Sequence, residues 1–320
     1  MVLKDGLPTR RKILISAPPF VNLESYFESH SGLNEYQVTW VKSAQQMSEA
    51  ELLEKLPSFD GWILGDDPCT RRVLEAGKRG NLKAVVKWGV GTDNIDFQAL
   101  KEFGIAFDNT PGAFGKEVAD LALAYLVMLS RHVLAVHNSV LKGEWKKPAG
   151  TSLSGKNVAL VGYGDIGNNV CKRLLASDVN VFVYEVDRSK TKGLKEISLR
   201  NWPEAIHQMD VIILACALTP GNFGMIGREI LNTLKEGALI INVSRGGLIN
   251  ENDLVEALNS GRLGGAALDV YQVEPLPAVS ALRECPNVIL GSHNASNTTE
   301  AVIRTSQKTI TIMRNFLEKR

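Results

Sequence analysis

Three polar residues in the second half of the chain sit where buried strands are expected to end. Arg245 closes Asn242-Val-Ser-Arg245, Glu274 lies in Leu268-Asp269-Val-Tyr-Gln-Val-Glu274-Pro275, and His293 ends Leu290-Gly-Ser-His293. A guanidinium grips a carboxylate with two parallel hydrogen bonds. An imidazolium donates a proton to a carbonyl oxygen as a hydride reaches the carbon. A carboxylate behind the imidazole fixes its tautomer and favours its charged form. Together the three suit reduction of a 2-keto acid to a 2-hydroxy acid. Taken singly, each has a plainer role: an arginine capping a helix, a glutamate in a turn before proline, a buried neutral histidine. His30, His132, His137 and His207 lie in helical or loop contexts without such partners and are read as structural.

A hydride donor is what the middle of the chain can hold. Val158-Ala-Leu-Val-Gly162-Tyr-Gly164-Asp165-Ile166-Gly167 reads as strand, GxGxxG, helix. Gly162 permits the tight turn, Gly164 lets the backbone approach a pyrophosphate, and Gly167 allows close helix–strand packing. The N–H groups opening the helix, those of Asp165 and Ile166 among them, would carry the pyrophosphate, with the Asp165 side chain pointing outward. A GxGxxG alone is weak. Here it follows a clear strand, and a second strand ends in Glu185, eighteen residues after Gly167. That acid can accept from both ribose hydroxyls and would repel a 2′-phosphate, so NAD is expected over NADP. Arg188 and Lys190, just beyond it, temper the repulsion. The plainer reading is an ordinary βαβ turn with a solvent-facing glutamate.

These residues must be positioned by parallel sheets. Short β-branched runs alternate with helical stretches, at Lys12–Ala17, Gly61–Leu64, Leu82–Lys87, Val158–Gly162, Val181–Glu185, Val211–Ala215, Leu239–Val243 and Val288–Leu290. In open α/β sheets ligands bind beyond the carboxyl ends of the strands, where Arg245, Glu274 and His293 fall. At 320 residues, two domains of roughly 150 residues are expected. Apolar residues are 44% and charged residues 22%, with a net charge of +1, so nothing points to nucleic acid or a membrane surface as partner. Residues 1–11 are polar and lack the apolar core of a secretory signal. The apolar stretch Val118 to Val136 is interrupted by Asp120, Ser130, Arg131 and His132, and is read as one helix buried in protein. Cys69, Cys171, Cys216 and Cys285 are scattered, with no CxxC pair and no neighbouring histidine. Reduced thiols in the cytoplasm are expected, with neither a metal site nor a disulfide framework. The last helix, about Thr299 to Lys319, has one apolar face, with Val302, Ile303, Ile310, Met313, Phe316 and Leu317.

Over nearly its whole length the sequence resembles the D-isomer-specific 2-hydroxyacid dehydrogenases, a family that includes D-3-phosphoglycerate dehydrogenases. The resemblance rests on Thr70-x-x-Val-Leu-Glu-Ala, Leu82-Lys, Gly89-Val-Gly-Thr-Asp-Asn-Ile-Asp96, Asn109-Thr-Pro-Gly112, the GxGxxG, Leu218-Thr-Pro220, Asn242-Val-Ser-Arg-Gly-Gly247 and Gly264-Gly-Ala-Ala-Leu-Asp-Val-Tyr271. It implies that Arg245, Glu274 and His293 are catalytic. It implies further that Val90 and Gly91 offer backbone N–H groups to the substrate carboxylate, that Asp269 faces the nicotinamide carboxamide, and that Thr219 lines the cofactor site. Glu274 speaks against the formate dehydrogenase branch, which has a glutamine there. The implied fold is α/β, with two doubly wound parallel-sheet domains, Rossmann-like and flavodoxin-like, the cofactor domain inserted into the substrate domain. Residues 1–110 and 293–320 would form the substrate domain and 111–292 the NAD-binding domain, so the last helix packs back onto the N-terminal sheet. A homodimer through the cofactor domain is also implied, and the extra regulatory domain of some phosphoglycerate dehydrogenases is not expected.

The chain departs from that pattern in two places. Asn294-Ala-Ser-Asn297 follows His293 where the family has Ile-Gly-Gly or similar. Near Gly65-Asp66-Asp67, relatives with phosphorylated substrates carry an arginine. The two acids disfavour a phosphorylated substrate and suit a neutral or amino-bearing group, although Lys87, Lys146 and Lys147 fall near positions that are basic in those relatives. The alternative function is an NAD-sensing binding protein, since transcriptional co-repressors resemble the family and keep its triad. Those proteins add disordered or peptide-docking segments, which this sequence lacks.

Overall fold

The computed structural model describes residues 10–30 and 32–318, the side chain of His30 excepted. Residues 1–9, read above as part of a polar N-terminus, and Lys319, at the expected end of the last helix, lie outside the described residues. The first elements are β1 (Lys12–Ile15), α1 (Pro18–Val21), α2 (Glu24–His30), β2 (Gln37–Trp40), α3 (Glu49–Lys55), β3 (Gly61–Leu64), α4 (Arg71–Arg79), β4 (Ala84–Lys87), α5 (Phe97–Phe103) and β5 (Ala106–Asp108). There follow α6 (Gly115–Ser130), α7 (Val133–Leu141), β6 (Asn157–Val161), α8 (Asp165–Leu175), β7 (Asn180–Tyr184), β8 (Ser198–Arg200), β9 (Val211–Leu214) and α9 (Arg228–Thr233). The chain closes with β10 (Ala238–Asn242), α10 (Glu251–Asn259), β11 (Leu263–Leu268), β12 (Val288–Leu290) and α11 (Thr299–Glu318).

The chain divides into two compact units, Met1–Ala113 with Asn297–Arg320, and Phe114–Ser296. The divisions fall a few residues beyond those expected at 110/111 and 292/293. His293, expected in the first domain, therefore lies in the second unit with Arg245 and Glu274.

In the first unit the strand order is β2-β1-β3-β4-β5, all parallel, the flavodoxin-like order. β3 and β4 are buried along their whole length, as expected of strands covered on both faces. Caps set the helices: Ser48 and Glu51 form a reciprocal box at the start of α3, and Asp96 accepts from the Ala99 N–H at the start of α5. The last helix returns to this sheet. Met313 and Leu317 lie against Gly61 of β3, and the Ser306 hydroxyl receives the Trp88 indole N–H at 2.9 Å. Met313 and Leu317 are almost wholly buried, each stabilising the return by about 1.5–3 kcal/mol. The buried face is more polar than the apolar spacing suggested, since Thr305, Ser306 and Thr309 share it while Phe316 is only half-buried.

In the second unit the order is β12-β11-β10-β9-β6-β7-β8, again all parallel, a Rossmann sheet whose strand order reverses between β6 and β9. The apolar stretch read as one buried helix is two. The chain breaks at Arg131 and His132, where His132 takes a left-handed φ of 52°, and α6 and α7 meet at 66°. α6 is buried along one face, whereas of α7 only Ser139 is buried. Among the described residues no single helix is long and apolar enough to cross a membrane; the bent pair reaches that length and composition only as two pieces.

Candidate active site

Arg245, Glu274 and His293 leave the carboxyl ends of three neighbouring strands, β10, β11 and β12. Asn242, fully buried at the end of β10, shapes the first turn: its amide donates to the Arg245 carbonyl at 2.9 Å and its oxygen accepts the Ser244 N–H at 3.1 Å. The Ser244 hydroxyl donates to the Cys216 carbonyl, tying this turn to the end of β9. Arg245 is half-buried, one guanidinium nitrogen donating to the Ser244 carbonyl at 2.9 Å. Gly246 brings the next turn close, since a Cβ there would stand 1.8 Å from the Tyr271 carbonyl carbon. The stretch leading to Glu274 is thereby pressed against the stretch that carries Arg245.

Glu274 and His293 are joined directly. The glutamate Oε1 accepts the Tyr271 N–H at 2.9 Å, and its Oε2 lies 2.7 Å from His293 Nδ1. Both side chains keep partial exposure, 17% and 23%. An ionised carboxylate only accepts, so Nδ1 carries the proton of this bond and Nε2 is the nitrogen left to exchange a proton with a ligand. The histidine backbone is left-handed, with φ at 55°, a conformation that costs a residue with a Cβ about 1–3 kcal/mol and persists only where its surroundings impose it. Asp269 imposes it. This aspartate is 1% exposed; its carbonyl takes the His293 N–H at 2.7 Å, and its carboxylate takes the N–H groups of Asn294 at 3.2 Å and Ala295 at 2.9 Å. The Tyr125 hydroxyl, from α6, donates to the same carboxylate at 3.3 Å. The Asn294-Ala-Ser-Asn297 departure thus begins in the loop that holds the imidazole, through the backbone N–H groups of its first two residues.

The dinucleotide motif stands at the sheet's switch point. Gly162 turns the chain at a φ of 97°, and a Cβ on Gly167 would stand 2.1 Å from the Gly162 carbonyl oxygen, which is how closely α8 meets β6. Asp165 and Ile166 open α8, the first exposed and the second half-buried. The Asp165 carboxylate is turned onto Gly115, at the start of α6, and accepts from the Asn169 amide at 3.2 Å. A Cβ on Gly164 would meet no atom of the chain within 4 Å, so the backbone here faces open space fit for a pyrophosphate. Glu185 is held at the end of β7 by the N–H groups of Tyr163 at 2.7 Å and Asp187 at 2.9 Å, with Lys190 at 3.5 Å. Burial pushes this carboxyl up, but the two N–H groups and the Lys190 ammonium more than offset it and hold it below the usual carboxylate range. Thr219, exposed after β9, caps a short turn in which Asn222 accepts its N–H at 2.7 Å. The residues present therefore fit a dinucleotide.

Val90 and Gly91 belong to the first unit, in the turn after β4. Val90 is 39% exposed, and the turn is braced by Asn109, whose amide donates to the Val90 carbonyl at 3.0 Å, and by Thr110, whose hydroxyl receives the Gly89 N–H at 2.9 Å.

The family model of the NAD binding domain of D-isomer specific 2-hydroxyacid dehydrogenases matches residues 123–295. A hydroxypyruvate reductase of Thermotoga maritima is 35% identical over 265 residues, 81% of this chain and 85% of the relative. The chain belongs to the D-isomer specific 2-hydroxyacid dehydrogenase family. It is an NAD-dependent dehydrogenase of that family. A D-3-phosphoglycerate dehydrogenase of Methanocaldococcus jannaschii is 35% identical over 272 residues, 83% of this chain but 51% of the relative, so the chain spans about half that enzyme's length. The crystal structure of a Thermus thermophilus protein superposes with a TM-score of 0.85 at 30% identity, covering 97% of each chain.

Within this member of the D-2-hydroxyacid dehydrogenases, several residues that shape the site carried no assigned role in the sequence. Asn242 and Ser244 build the turn behind Arg245, and a polar residue closing the apolar run of β10 was the available signal for the first. Tyr125 stands on an apolar helix far away in sequence, and nothing in its neighbours marks it. Tyr163 contributes through its backbone N–H, which every residue but proline has.

Proposed function

We propose that this chain interconverts a small D-2-hydroxy acid and its 2-keto acid with NAD(H). The observation that carries the reading is the 2.7 Å bond between His293 Nδ1 and Glu274 Oε2, held by an imposed left-handed backbone at the end of β12. Bound NADH would supply the hydride. In reduction, Arg245 grips the substrate carboxylate, with the backbone N–H groups of Val90 and Gly91 as further donors. The His293 Nε2 gives its proton to the carbonyl oxygen, and Glu274 stabilises the imidazolium that serves as donor. In oxidation the neutral imidazole takes the proton back. Gly162, Gly164, Gly167, Asp165 and Ile166 form the pyrophosphate cradle, Thr219 lines it, and Asp269 orients the nicotinamide end while bracing the His293 loop.

A homodimer through the NAD-binding unit accompanies this reading. Val133 is 42% exposed, Leu134 37%, Val140 47%, Leu141 73% and Trp145 77%, more apolar surface on one short stretch than a lone unit ordinarily shows to water. A cytoplasmic location fits the four free thiols.

The test is the consumption of NADH and of NADPH with a panel of 2-keto acids. Turnover with NADH is expected, and NADPH should be the poorer donor, since Glu185 is held ionised where a 2′-phosphate would lie. Its depressed pKa keeps that repulsion through mild acid, to be lost only as the pH falls through the lowered value. Glu185→Ser should narrow the preference, helped by Arg188. Equal use of both donors by the unaltered protein would remove Glu185 from its role. NADH binding without turnover on any keto acid would favour an NAD-sensing protein instead.

A further inference from the structure

The turn after β3 lies beside the turn after β4, because Leu64 pairs with Lys87 in register. These turns stand at the carboxyl edge of the first unit's sheet, next to its switch point between β1 and β3, where doubly wound sheets take their ligands. Lys87 is the cation there, and it is 2% exposed. Its ammonium donates to the Gly65 carbonyl and to Asp66 Oδ1 at 2.8 Å. Its stem runs under the substrate-carboxylate turn, since a Cβ on Gly89 would stand 3.2 Å from Lys87 Cε. The partner, Asp66, keeps a 32% exposed side chain and also receives the Gln45 amide at 2.9 Å. Of the two arginines that follow on α4, Arg71 pairs with Glu102, and Arg72, largely exposed, lies 3.6 Å from Glu49. What this edge presents outward is therefore a carboxylate, with its lysine buried behind it.

We propose that the Asp66–Lys87 pair sets the substrate class, admitting 2-keto acids whose distal group is neutral or cationic and rejecting those that carry a distal phosphate. The proposal rests on the function given above. In this proposal the acid's carboxylate lies on Val90 and Gly91 and its distal group meets the neighbouring turn, which carries Asp66. A phosphate there meets a like charge, and Lys87, 2% exposed behind Asp66, cannot reach it without moving outward.

The experiment compares hydroxypyruvate with its 3-phosphate ester, two substrates that differ by the phosphate alone, each with NADH. The unaltered protein should favour hydroxypyruvate in kcat/KM by at least about a hundredfold, the scale of a like-charge juxtaposition. Asp66→Asn, which removes the charge and leaves Lys87 in place, should lower that ratio by about tenfold or more. Adding Lys87→Met should take the gain away again. Equal kcat/KM for the two substrates in the unaltered protein, which needs no variant to fold, overturns the proposal, as does an unchanged ratio in Asp66→Asn. Absence of turnover on any 2-keto acid overturns the functional reading itself, and this proposal with it.

Discussion

His293→Ala should lose most turnover in both directions while NADH still binds with nearly unchanged affinity. In the proposed mechanism the imidazole moves the proton, and a positioned general acid typically contributes a factor of about a hundred to ten thousand. Cofactor binding is assigned to other parts of the second unit, chiefly the α8 cradle and Glu185, so calorimetry with NADH alone should separate the two effects. The left-handed backbone at His293 adds a control, because alanine meets the same backbone penalty there. His293→Gly relieves that strain without restoring the proton donor, and it should be as inactive as the alanine variant. Recovery of activity in the glycine variant would mean that the imidazole is not the proton donor.

Arg245→Ala should damage turnover of keto acids far more than it weakens NADH binding. Truncating one partner of a desolvated, hydrogen-bonded charge pair costs about 2–5 kcal/mol, a loss of roughly thirtyfold to several thousandfold. The substrate carboxylate is the partner left alone. Arg245→Lys keeps the charge but not the planar fork, so it should recover only part of the loss. The measurement is kcat/KM on the best keto acid, beside NADH affinity by calorimetry. A large fall in NADH affinity would move Arg245 to the cofactor or to the fold.

Much of this architecture was legible because strands buried on both faces are continuous apolar runs, as Val211–Leu214 and Gly61–Leu64 are. The strands that escaped, or that were expected without bounds as β11 was before Glu274, are of two kinds. β2, β5 and β8 carry half-exposed residues at or near sheet edges, where polar side chains are tolerated and the pattern fades. β11 is central but reads Leu-Gly-Gly-Ala-Ala-Leu, with no β-branched residue. Its small residues answer crowding, since a Cβ on Gly264 would stand 2.3 Å from the Gly237 carbonyl oxygen. The break between α6 and α7 was hidden because His132 gives no Gly or Pro signal for its left-handed turn.

The site divides in the same way. Arg245, Glu274 and His293 could be named because their residue types announce their chemistry, and Arg245 and His293 also follow recognisable apolar runs. Asp269 could be given a role toward the nicotinamide but not its part in holding the His293 loop, since its contacts with the N–H groups of Asn294 and Ala295 depend on loop geometry. Tyr125 reaches it across 144 positions of sequence. Asp66 could be read as an acid in an unexpected place, but its pairing with a buried Lys87 needed the register of β3 on β4.

In the proposed mechanism one imidazole, backed by one carboxylate, moves the proton in both directions, and the decisive measurement is the pH dependence of Glu274→Gln. The substitution keeps the shape at Oε2 and removes the anion 2.7 Å from Nδ1. Reduction needs the imidazolium, so its rate falls as the pH rises through that titration; oxidation needs the neutral ring, so its rate rises through the same one. Without the anion the imidazolium is less stable. The reductive profile should then move to lower pH, and the oxidative profile should also move to lower pH, by the same amount. If both profiles stay where they are in the unaltered protein, or move in opposite directions, some other group carries the proton and the proposed mechanism is wrong.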